Sequence, residues 1–213
     1  RPFVRVKLAT TLDGRTAPAD GTQQWITSEA ARRDGHRWRA RASAILTGVG
    51  TVLADDPRLN VRLDEPHVSP LRVIVDTQLR TPATARLLHD NGAPVLIVCA
   101  DPADAQRRAA LASAGAEIVV LPIAGAGIDL HALMSLLVQR QVNELHVEAG
   151  AKLAGALLHA GLLDELLLYQ ATNFLGACAR PLIAGAMLPV ASWKVIDERR
   201  VGPDRRLLLR PNR

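Results

Sequence analysis

The chain has 213 residues, of which 48% are hydrophobic and 22% are charged, enough apolar material for a globular core. This composition excludes an intrinsically disordered, collagen-like or coiled-coil chain. The net charge of +5 is compatible with nucleic-acid binding, but the arginines are dispersed among acidic residues and only three Trp, two Phe and one Tyr are present. Because a nucleic-acid surface needs a basic stripe or a set of stacking rings, we expect no nucleic-acid partner.

Cysteine and histidine usage indicates neither disulfides nor a metal site. Cys99 and Cys178 are far apart and lack CxxC spacing, which favours a reducing compartment and hence a cytoplasmic protein. The histidines form no HExxH or similar ligand spacing, so no metal is expected. No stretch approaches the ~18 apolar residues that a membrane helix needs, so no membrane partner is expected. The chain begins with Arg1 rather than Met, and we expect a domain of a longer polypeptide.

The N-terminal part of the chain predicts a strand, a loop, a helix and a short second strand. The first strand is indicated by the alternating apolar residues Val4, Val6 and Leu8, and its other face is polar. A polar loop follows over residues 9–24, and a helix capped by Thr27 or Ser28 runs to about residue 43. The core stripe of this helix is predicted at Ala31, Gly35, Trp38 and Ala42. A buried strand over residues 44–47 leads into a brief helical turn that ends at residues 55–57.

The middle of the chain alternates strands with helices, which predicts a mainly parallel sheet covered on both faces. The predicted strands lie at residues 71–76, 95–99, 117–121, 144–147 and 166–171, and the first two are interpreted as the apolar runs of buried parallel strands. The first helix between them begins at Pro102 and runs to about residue 114. Apolar faces mark two further helices, one at Leu130, Leu133, Met134, Leu137 and Val138 and one at Leu153, Ala156, Leu157 and Ala160. An antiparallel hairpin of residues 194–199 and 206–209 follows. We predict one domain over residues 1–213.

Two glycine-marked strand exits are candidate phosphate sites. They are TGVGT at residues 47–51 and EAGAKLAGA at residues 148–156, where helix N-termini beyond the carboxyl ends of parallel strands would offer amides to a phosphate. Neither completes a GxGxxG motif or a P-loop. The alternative therefore stays open that these glycines only end strands and cap helices. Asp55 and Asp56 precede a proline and are interpreted as turn formers. Lys7 is either a solvated strand residue or a catalytic one, and Glu148 either caps a helix or binds substrate.

Seven segments, taken in chain order, carry a family resemblance. They are RPFVRVKLA (1–9), LDGR (12–15), QWIT (24–27), TVLADDPRLNVR (51–62), VEAG (147–150), LAGAL (153–157) and GLLDE (161–165). Together they closely resemble the reductase domain of the bifunctional riboflavin-biosynthesis deaminase/reductase. The resemblance extends over nearly the whole chain and is weakest over residues 81–141.

This resemblance implies a dihydrofolate-reductase-like α/β fold, a three-layer domain with a mainly parallel mixed sheet, helices on both faces and a C-terminal antiparallel hairpin. It also implies an NADPH cofactor, a homodimer, and reduction of 5-amino-6-(5-phosphoribosylamino)uracil to its ribitylamino product by hydride transfer to C1′. The zinc deaminase signature, HxE with PCxxC, is absent from these residues, so they cannot perform the preceding deamination. We expect a deaminase domain, if the parent chain is bifunctional, to lie upstream of Arg1.

By position, the resemblance implies three groups of site residues. The catalytic residues are Lys7 and Glu148. The cofactor contacts are Ala9, Trp25, Thr51, Asp55, Thr77, Gly150, Ala151, Lys152, Leu153, Ala154, Gly155 and Ala156. The substrate contacts are Gln23, Arg39, Leu59, Arg62 and Glu148. The two arginines suit a phosphorylated substrate because a guanidinium binds phosphate oxygens bidentately. Gln23 replaces the Ser that is common in the family, which changes the length of that contact.

Two other functions stay open on the sequence. One is a related reductase that acts on the diaminopyrimidine analogue of the substrate or on a pterin, although the scarcity of aromatic rings disfavours pterin stacking. The other is a catalytically inactive assembly domain, which is disfavoured because the residues in the implied roles are of usable chemical type.

Overall fold

The structure, a computed structural model, describes residues 1–20, 25–90, 92–100, 104–185 and 192–212. The chain divides into two compact units. The central unit consists of residues 1–3 and 39–146, and the terminal unit consists of residues 4–38 and 147–213. The single domain over residues 1–213 stays a prediction.

The described residues form strands and five α-helices in alternation. The strands are β1 (Phe3–Thr10), β2 (Arg15–Ala17), β3 (Ala44–Gly48), β4 (Leu71–Val75), β5 (Val95–Cys99), β6 (Ala116–Val120), β7 (Ile123–Ala124), β8 (Gly127–Ile128), β9 (Glu144–Val147), β10 (Glu165–Gln170), β11 (Arg180–Pro181), β12 (Trp193–Val201) and β13 (Asp204–Pro211). The helices are α1 (Glu29–Arg41), α2 (Val49–Asp55), α3 (Ala105–Ser113), α4 (Leu130–Gln139) and α5 (Ala151–His159).

The central unit is built on parallel strands. In it, β3, β4, β5 and β6 pair in parallel, with Thr47 opposite Ile74 and Ile74 opposite Ile97, and β9 lies beside β3. Every residue of β5 is buried, which is why this strand is a continuous apolar run rather than an alternating one. The core around these strands consists of Val52, Ile74, Leu79, Ala85, Leu87, Val95, Ile97, Cys99, Leu111 and Ala116.

The terminal unit combines one parallel strand pair with the predicted antiparallel hairpin. Strand β10 pairs in parallel with β1 and antiparallel with β13, and β13 pairs antiparallel with β12. The hairpin strands are longer than predicted and meet at a turn through Gly202, whose φ of 62° suits a residue without a Cβ. A small core joins α1 to the sheet and consists of Ala31, Trp38, Leu167 and Tyr169, packed by Val201 and Leu208.

Helix α1 begins as the sequence predicts. The Ser28 hydroxyl oxygen accepts a hydrogen bond from the Ala31 amide at 3.3 Å, which makes Ser28 the N-cap. Asp204 from the hairpin accepts hydrogen bonds from the Ser28 amide and hydroxyl at 2.7 and 2.6 Å. The predicted stripe is buried, including Trp38. The start of α1 is therefore held by a tertiary contact as well as by its own cap.

The predictions for helices α3 and α4 are wrong in detail. Helix α3 begins at Ala105, because the Asp104 carboxylate accepts hydrogen bonds from the Gln106 and Arg107 amides and so caps it; Pro102 lies outside the described residues. On α4, Val138 is 48% exposed rather than part of the apolar face.

On α5 the buried face is Ala154, Gly155 and Leu157, whereas Ala156 is exposed. The face lies about one residue away from the predicted one because small residues allow a close backbone approach there, which apolar periodicity does not register.

The predicted loop over residues 9–24 contains the short strand β2, which pairs antiparallel with β11. Apart from this, the α/β fold with a mainly parallel sheet and a C-terminal antiparallel hairpin is confirmed. Among the helices that the structure describes, none is long and apolar enough to cross a membrane.

Candidate active site

Lys7 stands on β1 next to a buried tyrosine of the neighbouring strand. In the parallel pair of β1 and β10, Lys7 lies opposite Leu167 and Ala9 lies opposite Tyr169, so these side chains share one face of the sheet. Lys7 is half-buried, and its Nζ lies over the Tyr169 ring, 5.8 Å from the ring centroid. That distance is within the range of cation–π attraction, so the lysine charge has a defined neighbour.

The Tyr169 side chain is itself anchored. It is only 1% exposed, and its hydroxyl donates a hydrogen bond of 2.6 Å to Asp34 Oδ2. The same oxygen accepts from Arg206 Nη1 at 3.0 Å, and Arg206 Nη2 donates to Asp197 Oδ2 at 2.7 Å. Burial, followed by the hydrogen bond to Asp34, raises the pKa of Tyr169 far above its usual value. The phenol therefore stays protonated and acts as a fixed donor.

Two arginines enclose Trp38 in the same unit. Arg5 Cζ lies 4.4 Å and Arg206 Cζ lies 5.5 Å from the indole centroid. Arg5 is 4% exposed and its Nε lies 2.5 Å from Glu165 Oε1. The sequence predicted only that Arg5 lies on the polar face of β1. The structure buries its guanidinium, and Glu165 and Trp38 compensate for the lost hydration.

Glu148 follows β9 and belongs to the same unit as Lys7 and Tyr169. It is half-buried and lies two residues before Gly150, the N-cap of α5. Its negative charge makes the smallest contribution to the raised pKa of Tyr169, after burial and Asp34. A catalytic or substrate-binding role of Glu148 stays a prediction.

The N-terminus of α5 differs from those of α3 and α4. Asp104 and Asp129 cap α3 and α4 through their carboxylates, whereas the extended N-cap Gly150 makes no side-chain cap hydrogen bond. A Cβ added at Gly150 would meet nothing within 4 Å. Free amides and open space at the end of a helix fit a phosphate group.

The other end of this segment is packed against backbone. A Cβ added at Gly155 would lie 1.8 Å from the Ala184 carbonyl oxygen, and the Ala184 amide donates to the Ala151 carbonyl at 3.0 Å. The stretch of residues 182–185 therefore holds α5 through contacts that only a glycine at position 155 permits.

Two further residues of the terminal unit concern the site. Trp25 is 76% exposed, and its ring lies 4.6 Å from Arg32 Cζ. Asp13 accepts hydrogen bonds from the Thr11 hydroxyl at 2.5 Å and from the Gly176 amide at 2.7 Å, and the Thr11 bond, followed by backbone amides, lowers the pKa of Asp13. Gln23 lies outside the described residues.

In the central unit, two arginines hold the backbone around Leu59. Arg39 Nη1 donates to the Asn60 carbonyl at 2.7 Å, and Arg72 Nη1 donates to the Arg58 carbonyl at 3.2 Å. Leu59 is 2% exposed and has a φ of 51°, a left-handed conformation that is costly for a branched side chain. The two guanidinium groups keep the loop in this shape. Substrate contacts by Arg39, Leu59 and the exposed Arg62 stay predictions.

Helix α2 carries the predicted cofactor residues Thr51 and Asp55. Thr51 is half-buried in the first turn, and Asp55 is exposed at the last residue. Asp56 follows in a left-handed conformation and accepts a hydrogen bond of 2.8 Å from the Arg86 amide, which fits its interpretation as a turn former.

Thr77 follows β4 by two residues. Its carbonyl accepts from the Ala100 amide at 3.1 Å. The preceding Asp76 is fully buried, and its Oδ2 accepts from the amide and hydroxyl of Thr81 at 2.7 and 2.8 Å, which folds the following turn. The cavity beyond this turn measures about 420 Å³ and is lined by Leu79, Arg80, Thr81, Pro82 and Arg107.

Sequence reasoning assigned no role to Tyr169, Asp34, Arg206 or Arg72. One signal was present: Tyr169 is the only tyrosine in the chain and lies in a strand of leucines, where a buried phenol needs a hydrogen-bond partner. Within the ranges that the structure describes, no group of three or more His, Cys, Asp or Glu residues is arranged to hold a metal ion.

Comparison with known proteins identifies the family. The model of the RibD C-terminal domain family matches residues 2–206. The chain belongs to this family. The riboflavin biosynthesis protein RibD of Bacillus amyloliquefaciens is 37% identical over 215 residues, which cover 99% of this chain and 57% of that protein. The resemblance found in the sequence is thereby confirmed.

Solved RibD structures share the fold. RibD of Acinetobacter baumannii matches with a TM-score of 0.84 and 36% identity over 100% of this chain and 58% of its own. The diaminohydroxyphosphoribosylaminopyrimidine deaminase/5-amino-6-(5-phosphoribosylamino)uracil reductase of Thermotoga maritima matches with a TM-score of 0.79 and 26% identity over 100% of this chain and 57% of its own. The chain spans less than three fifths of these relatives.

Proposed function

We propose that this chain is an NADPH-dependent oxidoreductase that reduces the ribosyl group of 5-amino-6-(5-phosphoribosylamino)uracil to the ribitylamino product. One observation of the structure supports the proposal: Lys7, which the resemblance implies as catalytic, is half-buried with its Nζ 5.8 Å from the centroid of the Tyr169 ring. Membership of the RibD C-terminal domain family and the reductase named for the Thermotoga maritima relative support it.

The reaction requires a hydride acceptor at C1′ of the sugar. When the ribose ring opens, C1′ forms a carbon–nitrogen double bond to the amine; hydride addition at C1′ and a proton on the nitrogen complete the reduction. When bound, the nicotinamide supplies the hydride, which carries both electrons of the reduction, and is itself oxidised. The Lys7 ammonium would polarise or protonate the ribose hydroxyl or the imine nitrogen. The Glu148 carboxylate would accept hydrogen bonds from the substrate and orient it.

The residues of the chain fit a phosphorylated dinucleotide. The uncapped N-terminus of α5 at Gly150 is suited to a pyrophosphate. Beyond β4, the cavity after the Asp76–Thr81 turn is lined by the two arginines Arg80 and Arg107, and Arg107 Nε also lies 3.7 Å from Asp104 Oδ2. Two arginines suit the 2′-phosphate that distinguishes NADPH from NADH.

The decisive experiment follows the loss of NADPH absorbance with each candidate substrate. We expect turnover with the ribosylaminouracil phosphate and none with a pterin. If only the diaminopyrimidine analogue is turned over, that compound is the substrate instead. If NADPH is not oxidised with any of the candidate substrates, the proposal is contradicted. We also propose that the protein is a cytoplasmic homodimer. The preceding deamination would be performed by residues other than these.

Cofactor preference tests the arginine-lined cavity. The double substitution Arg80→Gln with Arg107→Gln is expected to weaken NADPH binding about 10-fold, since each charge-assisted phosphate contact contributes about 1.5–3 kcal/mol before solvent screening. NADH binding should stay unchanged. Titration of the nucleotide by its fluorescence measures both affinities without turnover. Arg33→Gln, which removes an exposed charge elsewhere, is the control, and an equal loss of NADPH and NADH affinity would contradict the assignment.

A further inference from the structure

We propose that Tyr169 is a positioning residue for Lys7 and that Asp34 and Arg206 hold its ring in place for this purpose. The inference rests on the proposed function, because it assigns a support to the lysine that the reduction uses. It assigns the C-terminal hairpin, through Arg206, a part in the site.

The ring lies where it can hold the ammonium group. Lys7 Nζ is over the face of Tyr169 at 5.8 Å from the centroid, and the electron-rich face of an aromatic ring attracts a cation at this range. The strand register places the two side chains on one face of the sheet. A lysine has four rotatable side-chain bonds, so a fixed ring at this distance narrows the range of positions that its ammonium samples.

The ring cannot follow Lys7 if the lysine moves. Its hydroxyl is tied to Asp34 at 2.6 Å, and Asp34 is tied to Arg206 at 3.0 Å. Arg206 is fixed in turn by Asp197 at 2.7 Å and lies over the Trp38 ring. Asp34 belongs to α1, whereas Arg206 and Asp197 belong to β13 and β12. Two layers of the terminal unit therefore fix a single ring.

The arrangement assigns different roles to the ring and to the hydroxyl. The ring holds the lysine charge, and the hydroxyl only orients the ring. Removing the ring should therefore affect the chemical step more than substrate binding, because a displaced ammonium no longer stabilises the transition state. Removing the hydroxyl alone releases the ring from Asp34 but leaves its packing against α1, so it should affect the lysine less than removing the ring.

The test compares Tyr169→Leu, which removes the ring, with Tyr169→Phe, which keeps it. We expect Tyr169→Leu to lower kcat about 5- to 10-fold with KM nearly unchanged, and Tyr169→Phe to retain most of kcat. Leu208→Ala, which loosens the same core without removing the ring, controls for lost packing. Thermal unfolding of each variant verifies that it is folded.

A second readout needs no turnover. The chain contains only Lys7, Lys152 and Lys194, so labelled lysine gives three sets of ε-methylene resonances, and the exposed Lys152 and Lys194 serve as references. The Tyr169 ring current should shift the Lys7 resonance away from the references in the native protein and in Tyr169→Phe, but not in Tyr169→Leu.

Two results would overturn the inference: a Lys7 resonance that does not respond to Tyr169→Leu, or an equal loss of kcat in the Leu and Phe variants. The lysine spectrum decides the positioning role even if no candidate substrate is reduced. Failure of the proposed function and failure of this inference are therefore distinguishable.

Discussion

Replacing Lys7 by Met is expected to lower kcat for NADPH oxidation about 100-fold or more, because a positioned proton donor contributes roughly 10²–10⁴ in rate. Methionine keeps an unbranched side chain of similar length, so the packing on β1 is largely retained while the ammonium over Tyr169 is lost. Steady-state kinetics with the ribosylaminouracil phosphate measure the effect, and KM should change far less than kcat.

Lys194→Met is the matched control for this variant. It makes the same chemical change at an exposed position of β12 and should leave kcat and KM unchanged. A Lys7→Met enzyme that turns over at the native rate would remove Lys7 from the mechanism, and equal losses in both variants would indicate a general effect of lysine removal.

Gly155→Ala has the largest expected effect on stability. The added Cβ would lie 1.8 Å from the Ala184 carbonyl oxygen and 2.9 Å from its carbonyl carbon, and backbone atoms cannot escape by changing rotamer. Overpacking of this kind costs about 1–3 kcal/mol and occasionally more, so we expect the free energy of unfolding to fall by about 3 kcal/mol. Displacement of residues 182–185 should also weaken NADPH binding through the α5 segment.

Gly35→Ala provides the control, since Gly35 also lies in a helix but a Cβ there would meet nothing within 4 Å. Alanine is the better helix former, so this variant should be more stable by about 0.5–1 kcal/mol. Urea unfolding of both variants gives the comparison. A Gly155→Ala protein as stable as the native one would show that residues 182–185 do not hold α5.

Where a local pattern is strong, the sequence predicts the fold closely. The continuous apolar run of β5 has the predicted bounds, Val95–Cys99, because a buried strand needs apolar side chains on both faces. Strand β9 also has its predicted bounds, Glu144–Val147. Ser28 was predictable as a cap because its hydroxyl meets an amide three residues away.

Where distant residues decide the outcome, local patterns are insufficient. Alternation assigns Arg5 to the polar face of β1, but only the fold pairs it with Glu165, 160 positions away, and buries it. The buried face of α5 depends on the contact of the Ala184 carbonyl with Gly155. The periodicity of apolar residues cannot predict this contact, because it forms where a side chain is absent.

The sequence by itself determined the α/β class, the family and the residue types of the candidate site. Lys7 and Glu148 were identifiable because their flanking motifs, RPFVRVKLA and VEAG, are local. Only the tertiary structure decided that Lys7 lies over the Tyr169 ring and that this ring is tied to Asp34, 135 positions away. The reason is physical: hydrogen bonds and ion pairs act over a few ångströms of space, and only the folded chain brings such distant residues together.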